Sequence, residues 1–213
     1  MNKTKQLETW EGDFGKSYTD RNMMTPEQAD DLCFQTCGIK RIDVYKKLLE
    51  GIGDISNILE IGCNIGNQLA LFQKIGYKNL WAIEPQEYAC ELAKKRINNV
   101  NIIQASAFDV PFKDNYFDMV YTSGVLEHIA PEDLPKAMDE IYRCSKKYIL
   151  GFETYSEEGI PMIDYRGNKD LLWRADYSKL FMERFPDLVL IKQDIYPYKP
   201  TNELDVAYLL EKK

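Results

Sequence analysis

Residues 58–67 read ILEIGCNIGN, and they run directly into QLALFQKIG at 68–76. Ile58 to Ile61 have strand character. The loop after them opens at Gly62, carries a second glycine at Gly66, and leads into a segment whose apolar residues recur at helical spacing. A strand, a tight glycine turn and a helix together form the cradle that nucleotide-type ligands occupy.

The pattern around this cradle is alternation. Strand-length apolar runs occur at 57–61, 79–84, 101–105, 117–123, 148–153, 188–193 and 205–211. Several are apolar without a break, as in parallel strands covered on both faces. Helical patterns lie between most of them, at 67–76, 86–98, 131–147 and 169–185. Strand and helix in turn predict an α/β fold, a Rossmann-like doubly wound sheet of about seven strands. The last two runs are joined by DIYPYKPTNEL with no helical pattern, so they are expected to pair as an antiparallel hairpin at the sheet edge, leaving an antiparallel last strand. Upstream, 25–53 reads as helical throughout, with Thr25 as N-cap, Pro26 in the first turn and Gln28 closing a capping box. Residues 1–213 are read as a single domain, with 1–52 an N-terminal helical extension and 53–213 the sheet core, whose cap loop spans 153–170.

Bulk properties narrow the classes of partner. The chain has 213 residues, 45% of them hydrophobic, enough for one buried core. A formal charge of −7 offers no long-range attraction for a phosphate backbone, which argues against nucleic acid. The stretch MNKTKQLETWEGDFGKSY has no apolar core of signal-peptide length, and no run approaches membrane-spanning length, so a soluble cytoplasmic protein is expected. Five scattered cysteines read as reduced thiols. Cys33 and Cys37 form an i, i+4 pair without further metal-ligand candidates, so no metal is expected.

The glycine loop itself discriminates between cofactors. A dinucleotide fingerprint places glycines at relative positions one, three and six, where this chain has Gly62, Asn64 and Asn67. Glu60, beside the loop, repels a pyrophosphate. S-adenosylmethionine poses the opposite electrostatic problem, with a cationic sulfonium and an ammonium group, and an acidic residue two positions before the first glycine suits it. The spacing of Glu60, Gly62, Asn64 and Gly66, with Cys63 inside the loop, resembles the acidic-x-Gly-x-Gly-x-Gly loop of class I methyltransferases, with Asn64 the departure. Asparagine tolerates positive φ, so the turn survives it. Glu84 and Pro85 end the second strand about 20 residues past the loop, where an acid holds ribose hydroxyls in adenosine-binding sheets.

The stretch QASAFDVPFKDNYFDMVYTSGVLEHI at 104–129 is similar to the methyltransferase segment that reaches the adenine. By that resemblance Ser106, Ala107 and Phe108 fall at the adenine positions, Ser106 standing where the family usually has aspartate. Ser123, Gly124, Val125 and His128 fall at the mouth where cofactor meets substrate. ETWEGDFGKSYTDRN, TSGVLEHIAPEDLP, EIYRCSKKYIL and DYRGNKDLLWRADYSKLFMERFPDL together resemble the pseudaminic acid biosynthesis-associated methylases over most of the chain. This resemblance implies a methyl donor site and an acceptor in surface-glycan or nonulosonic acid metabolism.

A sulfonium methyl is already activated, so the remaining tasks are alignment, exclusion of water and acceptance of a proton. His128, the chain's one histidine, is a candidate base beside its reading as a structural histidine, with Glu153 and Tyr155 at the fifth strand's end as alternatives. Tyr165, Arg166 and Arg174, in and after the cap loop, are candidates for holding an anionic sugar derivative through charge-assisted bonds, beside their reading as solvated surface groups. Trp10, Phe14 and Tyr18 recur every four residues, so a helix there presents them on one face, with Tyr18 a candidate cover for the cofactor. Two other classes stay open at this point: a nicotinamide-dependent oxidoreductase on a similar sheet, and a catalytically silent S-adenosylmethionine-binding protein.

Overall fold

The computed structural model describes residues 3–201 and 203–213. Seven strands form one sheet: β1 (Asn57–Ile61), β2 (Asn79–Glu84), β3 (Asn101–Gln104), β4 (Phe117–Ser123), β5 (Ser145–Tyr155), β6 (Leu188–Tyr198) and β7 (Glu203–Lys212). Their order is β3-β2-β1-β4-β5-β7-β6. The first five pair in parallel, and β7 runs antiparallel to both β5 and β6. The doubly wound sheet with an antiparallel last strand is therefore as expected.

Alternating side chains assign each face. Ile58, Met119, Tyr121 and Leu150 pack into one core with α4 (Arg41–Leu49), α5 (Asn67–Ile75) and α6 (Glu87–Arg96). Leu59, Ile61, Val120 and Ile149 pack into the other with α7 (Leu134–Cys144) and α8 (Tyr177–Arg184). This period-two exchange between two buried faces is why the central runs are mostly apolar on both faces, with polar residues chiefly towards their ends.

Three helical expectations need correction. The 25–53 segment is not one helix: α3 (Pro26–Cys37) starts on the expected Thr25–Gln28 capping box, ends at Gly38 with φ 80°, and α4 begins anew at Arg41. The 169–185 segment is helical only from Tyr177, because Asp176 caps α8 by accepting from the Lys179 N–H at 3.0 Å. Ahead of it, Leu171, Leu172 and Trp173 are buried in succession, and the Trp173 N–H donates to Glu127 O at 2.8 Å. Consecutive burial matches a packed extended chain rather than one face of a helix. The 131–147 pattern likewise becomes helical only at Leu134, and its last residues already belong to β5.

The leading segment forms two helices, α1 (Lys5–Glu11) and α2 (Asp13–Arg21), separated at Gly12. Trp10, Phe14 and Tyr18 thus lie on two helices rather than one, yet Trp10 meets Phe14 and Tyr18 edge to face at 5.3 and 5.2 Å. Gly15 permits that approach, since a Cβ there would lie 1.8 Å from the Trp10 carbonyl oxygen. Gln86 then ties the junction to the sheet, its Nε2 donating to Glu11 O at 2.7 Å and Gly12 O at 3.1 Å. The two leading helices are thereby held over the carboxyl ends of the strands.

Candidate functional site

Beneath those helices lies a cavity of about 460 Å3, within the range of small-molecule sites. Its floor is the loop after β1. Gly62 has φ 73°, and a Cβ on it would stand 2.7 Å from Val125 Cγ2, so both backbone conformation and space demand glycine. The Gly62 and Cys63 N–H groups donate to Ile83 O at 2.8 and 3.1 Å, which closes the turn against β2. Asn64 has φ 46°, the left-handed conformation expected of it. Gly66 then caps α5 with φ 82°.

Two buried carboxylates face this floor. Glu60, in β1, accepts from the Tyr121 hydroxyl at 2.7 Å. Burial, with the Glu84 charge adding to it, pushes the Glu60 carboxyl up to about 8 against the pull of the Tyr121 hydrogen bond. Glu84, ending β2, accepts from the Asn64 N–H through Oε2 at 2.8 Å and from the Gln86 N–H through Oε1 at 2.9 Å. Burial pushes its carboxyl up to about 7, opposed by those two hydrogen bonds. A site with two carboxyl groups poised to lose protons near neutrality suits a cation and opposes a pyrophosphate. Asn64 also carries the cover, its Nδ2 donating to Thr19 Oγ1 in α2 at 2.9 Å.

The cavity wall brings together most of the residues singled out in the sequence. Glu60, Gly62, Cys63, Asn64 and Glu84 line one end with Pro85, Ala107 and Phe108, and Tyr18 lines it from α2. Burial raises the Cys63 thiol and the Tyr18 phenol, so both stay protonated. Ser123, Gly124, Val125 and His128 line the wall after β4. Gly66 and Ser106 stand behind it. The Ser106 hydroxyl accepts from the Phe108 N–H at 3.3 Å and so shapes the turn rather than facing the cavity.

The histidine is oriented through Nδ1. Its Nδ1 lies 2.6 Å from Leu171 O, which only accepts, so Nδ1 carries the hydrogen. Nε2 lies 3.5 Å from Glu127 Oε1. The ring packs against Trp10 at 4.6 Å and Tyr165 at 5.2 Å.

Other candidates stand outside the cavity wall. The Glu153 carboxylate is buried under the loop, where Oε2 accepts from the Val125 N–H at 2.9 Å and the Glu127 N–H at 3.4 Å, so it holds the loop from behind. Burial, then the Glu127 charge, pushes it up to about 8. Tyr155 packs with the α7 and α8 core. Arg166 is exposed, with φ 55° and its guanidinium 5.9 Å from the Tyr165 ring. Arg174 forms an ion pair with Glu203.

Among the wall residues that the sequence reading did not assign to the site, two carry unmet donors. Arg41 donates through Nη1 to Ser123 Oγ at 2.8 Å and lies 3.2 Å above the Phe152 ring centroid, while its Nε is buried without a partner. Trp10 also presents a buried indole N–H without a partner. No local motif announces Arg41, because both of its partners are remote in sequence. Trp10 was visible only as part of an aromatic stripe.

Residues 59–148 match the family model described as a methyltransferase domain. A cycloartenol-C-24-methyltransferase of Oryza sativa subsp. japonica is 30% identical over 114 residues, which are 51% of this chain and 33% of that protein. The chain spans 33% and 41% of the length of the curated relatives it matches. Among solved structures, a 1,6-didemethyltoxoflavin-N1-methyltransferase of Burkholderia thailandensis, with 1,6-didemethyltoxoflavin and S-adenosylhomocysteine bound, aligns at TM-score 0.73 and 14% identity, covering 100% of this chain and 92% of that one. A [4+2]-cyclase aligns at TM-score 0.64 and 13% identity, covering 80% and 79%. Identities this low speak for the fold, and the second neighbour means that the chemistry has to be argued from the site.

Proposed function

We propose that this chain, whose residues 59–148 match a methyltransferase domain, is an S-adenosylmethionine-dependent methyltransferase acting on a small molecule. The observation that carries the reading is the pair of buried carboxylates, Glu60 and Glu84, on either side of a glycine turn that opposes a diphosphate. Of the two, Glu60 beside the turn weighs against a nicotinamide dinucleotide, whereas Glu84 at the end of β2 would suit the ribose of either cofactor. Glu60 holds the ammonium end of the donor, Glu84 its ribose hydroxyls, and Ala107 and Phe108 flank its base. The donor supplies a methyl group already activated on a sulfonium. The chain's task is to orient the acceptor, exclude water and take a proton.

His128 is placed for the last of these. Leu171 O fixes the Nδ1 hydrogen, so Nε2 is the nitrogen that accepts the proton of an acceptor hydroxyl. Glu153 positions the His128 loop through the Val125 and Glu127 N–H groups. The α1–α2 cover, tied down by Gln86 and Asn64, keeps water from the nucleophile.

The acceptor in this reading is a sugar, sugar nucleotide or nonulosonic acid precursor in surface-glycan biosynthesis, as the sequence resemblance implies. A wall that offers Trp10, Tyr18, His128 and Arg41 suits a polar ring carrying an anionic group. Five free thiols suit a reducing, cytoplasmic setting, and among the described residues no helix is long and apolar enough to cross a membrane. The test is transfer of radiolabelled methyl from S-adenosylmethionine to a panel of sugar nucleotides and nonulosonic acids. Labelled sugar product is the expected result. Donor binding with transfer only to non-sugar acceptors would remove the glycan assignment, and donor binding without transfer to any acceptor would favour the silent binding protein.

A further inference from the structure

Arg41 is the only lysine or arginine on the cavity wall among the described residues. It opens α4, where Asp30 Oδ1 accepts the neighbouring Ile42 N–H at 3.0 Å and so fixes where the helix begins. Its guanidinium stacks on Phe152, gives one N–H to Ser123 and also interacts with the Cys33 thiol and the Tyr45 hydroxyl, while Nε is buried with no acceptor. Among the described residues no carboxylate stands within ion-pair distance of it. Asp205, on β7, accepts from Cys37 Sγ at 3.5 Å, and its charge acts on Arg41 from beyond ion-pair distance.

A guanidinium offers five N–H donors in a planar fork, and leaving some unmet in a buried place is unfavourable. A cavity that keeps such a group gains most from an anion that completes the fork. The other arginines considered for this role are differently engaged: Arg166 is exposed off the wall and Arg174 is paired with Glu203. The position of Arg41 also matters. Glu60 and Glu84 stand on β1 and β2, whereas Ser123 and Phe152 beside Arg41 belong to β4 and β5, with Cys33, Thr36 and Tyr198 completing that end of the wall.

Resting on the methyl-transfer reading, we infer that Arg41 is the anion receptor for the acceptor, holding its carboxylate or phosphate at the β4–β5 end of the cavity. Stacking on Phe152 fixes the plane of the fork, and the Ser123 bond fixes its rotation. The anion thereby sets which atom of the acceptor is presented to the donor.

The experiment titrates pyruvate and inorganic phosphate, at constant ionic strength made up with chloride, into the protein with and without saturating S-adenosylhomocysteine. Thermal midpoint and calorimetric heat are read for the parent, Arg41→Gln and Arg41→Lys. Both anions should raise the parent's midpoint in the loaded state, with at least tenfold weaker binding in Arg41→Gln and a partial response in Arg41→Lys. No anion response in the parent, or an equal one in Arg41→Gln, overturns the inference. A fall in S-adenosylhomocysteine affinity in Arg41→Gln, with 5′-methylthioadenosine affinity unchanged, would assign the guanidinium to the donor's own carboxylate and also overturn it. Failure of the parent to bind S-adenosylhomocysteine would count against the methyl-transfer reading instead, and the donor-free titration would still decide whether Arg41 receives an anion.

Discussion

The backbone N–H of Asn64 donates to Oε2 of Glu84 at 2.8 Å, so the glycine loop after β1 and the end of β2 are joined through a carboxylate that lines the cavity. The other oxygen is bonded to the Gln86 N–H, and each oxygen still has accepting capacity. Glu84→Gln places an NH2 donor against one of these two backbone N–H groups, so it should lower the thermal midpoint as well as weaken S-adenosylhomocysteine binding by about 1.5–3 kcal/mol. Calorimetry on the folded variant checks this, and unchanged affinity would remove Glu84 from the ribose site.

Gly62 is constrained twice, by φ 73° and by Val125 Cγ2 at 2.7 Å from any added Cβ. Gly62→Val should abolish S-adenosylhomocysteine binding. Gly62→Ala should lose part of it, and adding Val125→Ala should relieve the contact while leaving about 1–2 kcal/mol of backbone strain. No rescue by the second change would mean that the contact with Val125 is not the limiting one.

Glu60, Glu84 and Glu153 have carboxyls raised by burial to about 8, 7 and 8, from 4.5. Between these values the folded protein holds protons that the unfolded chain has released, so stability falls as pH rises through that window. The donor-free midpoint should therefore decline from pH 5 to pH 8. In the proposed reading the ligand's ammonium end is held by ionised Glu60, so the rise in midpoint produced by S-adenosylhomocysteine should grow over the same range. Glu60→Gln should lessen the first trend, which Glu84 and Glu153 still carry, and flatten the second in scanning calorimetry; an unchanged second trend would shift its cause to other groups.

The cover depends on Thr19, which is fully buried and accepts from Asn64 Nδ2 at 2.9 Å. Thr19→Val leaves that amide short of a partner, at a loss of about 1–3 kcal/mol. Stopped-flow release of S-adenosylhomocysteine should become several-fold faster, with quicker proteolysis near Gly12. Unchanged release would mean that α2 does not gate the cavity.

The sheet was legible because its central strands are buried on both faces. The runs at 57–61, 79–84 and 117–123 coincide with β1, β2 and β4. Helix limits were less legible where long-range packing overrides local pattern. Leu171, Leu172 and Trp173 look helical beside KLFMERF, but all three are buried and Trp173 bonds to Glu127. The Asp176 cap was the available signal for where that helix starts. In the candidate site, Glu60, Gly62, Asn64 and Glu84 could be gathered from sequence because a strand end and its loop position them locally. Arg41 could not, since Ser123 and Phe152 reach it only after β4 and β5 pair and α4 folds onto them.

In the proposed reading the cavity over the glycine loop after β1 and the end of β2 is the donor site for S-adenosylmethionine. Calorimetric titration of S-adenosylhomocysteine into the parent protein, with NAD as the control titrant, tests it most directly. One-to-one binding of S-adenosylhomocysteine, weakened in Glu84→Gln, with no heat from NAD, is the predicted result. Saturable NAD binding, or no binding of S-adenosylhomocysteine by the folded protein, would contradict it.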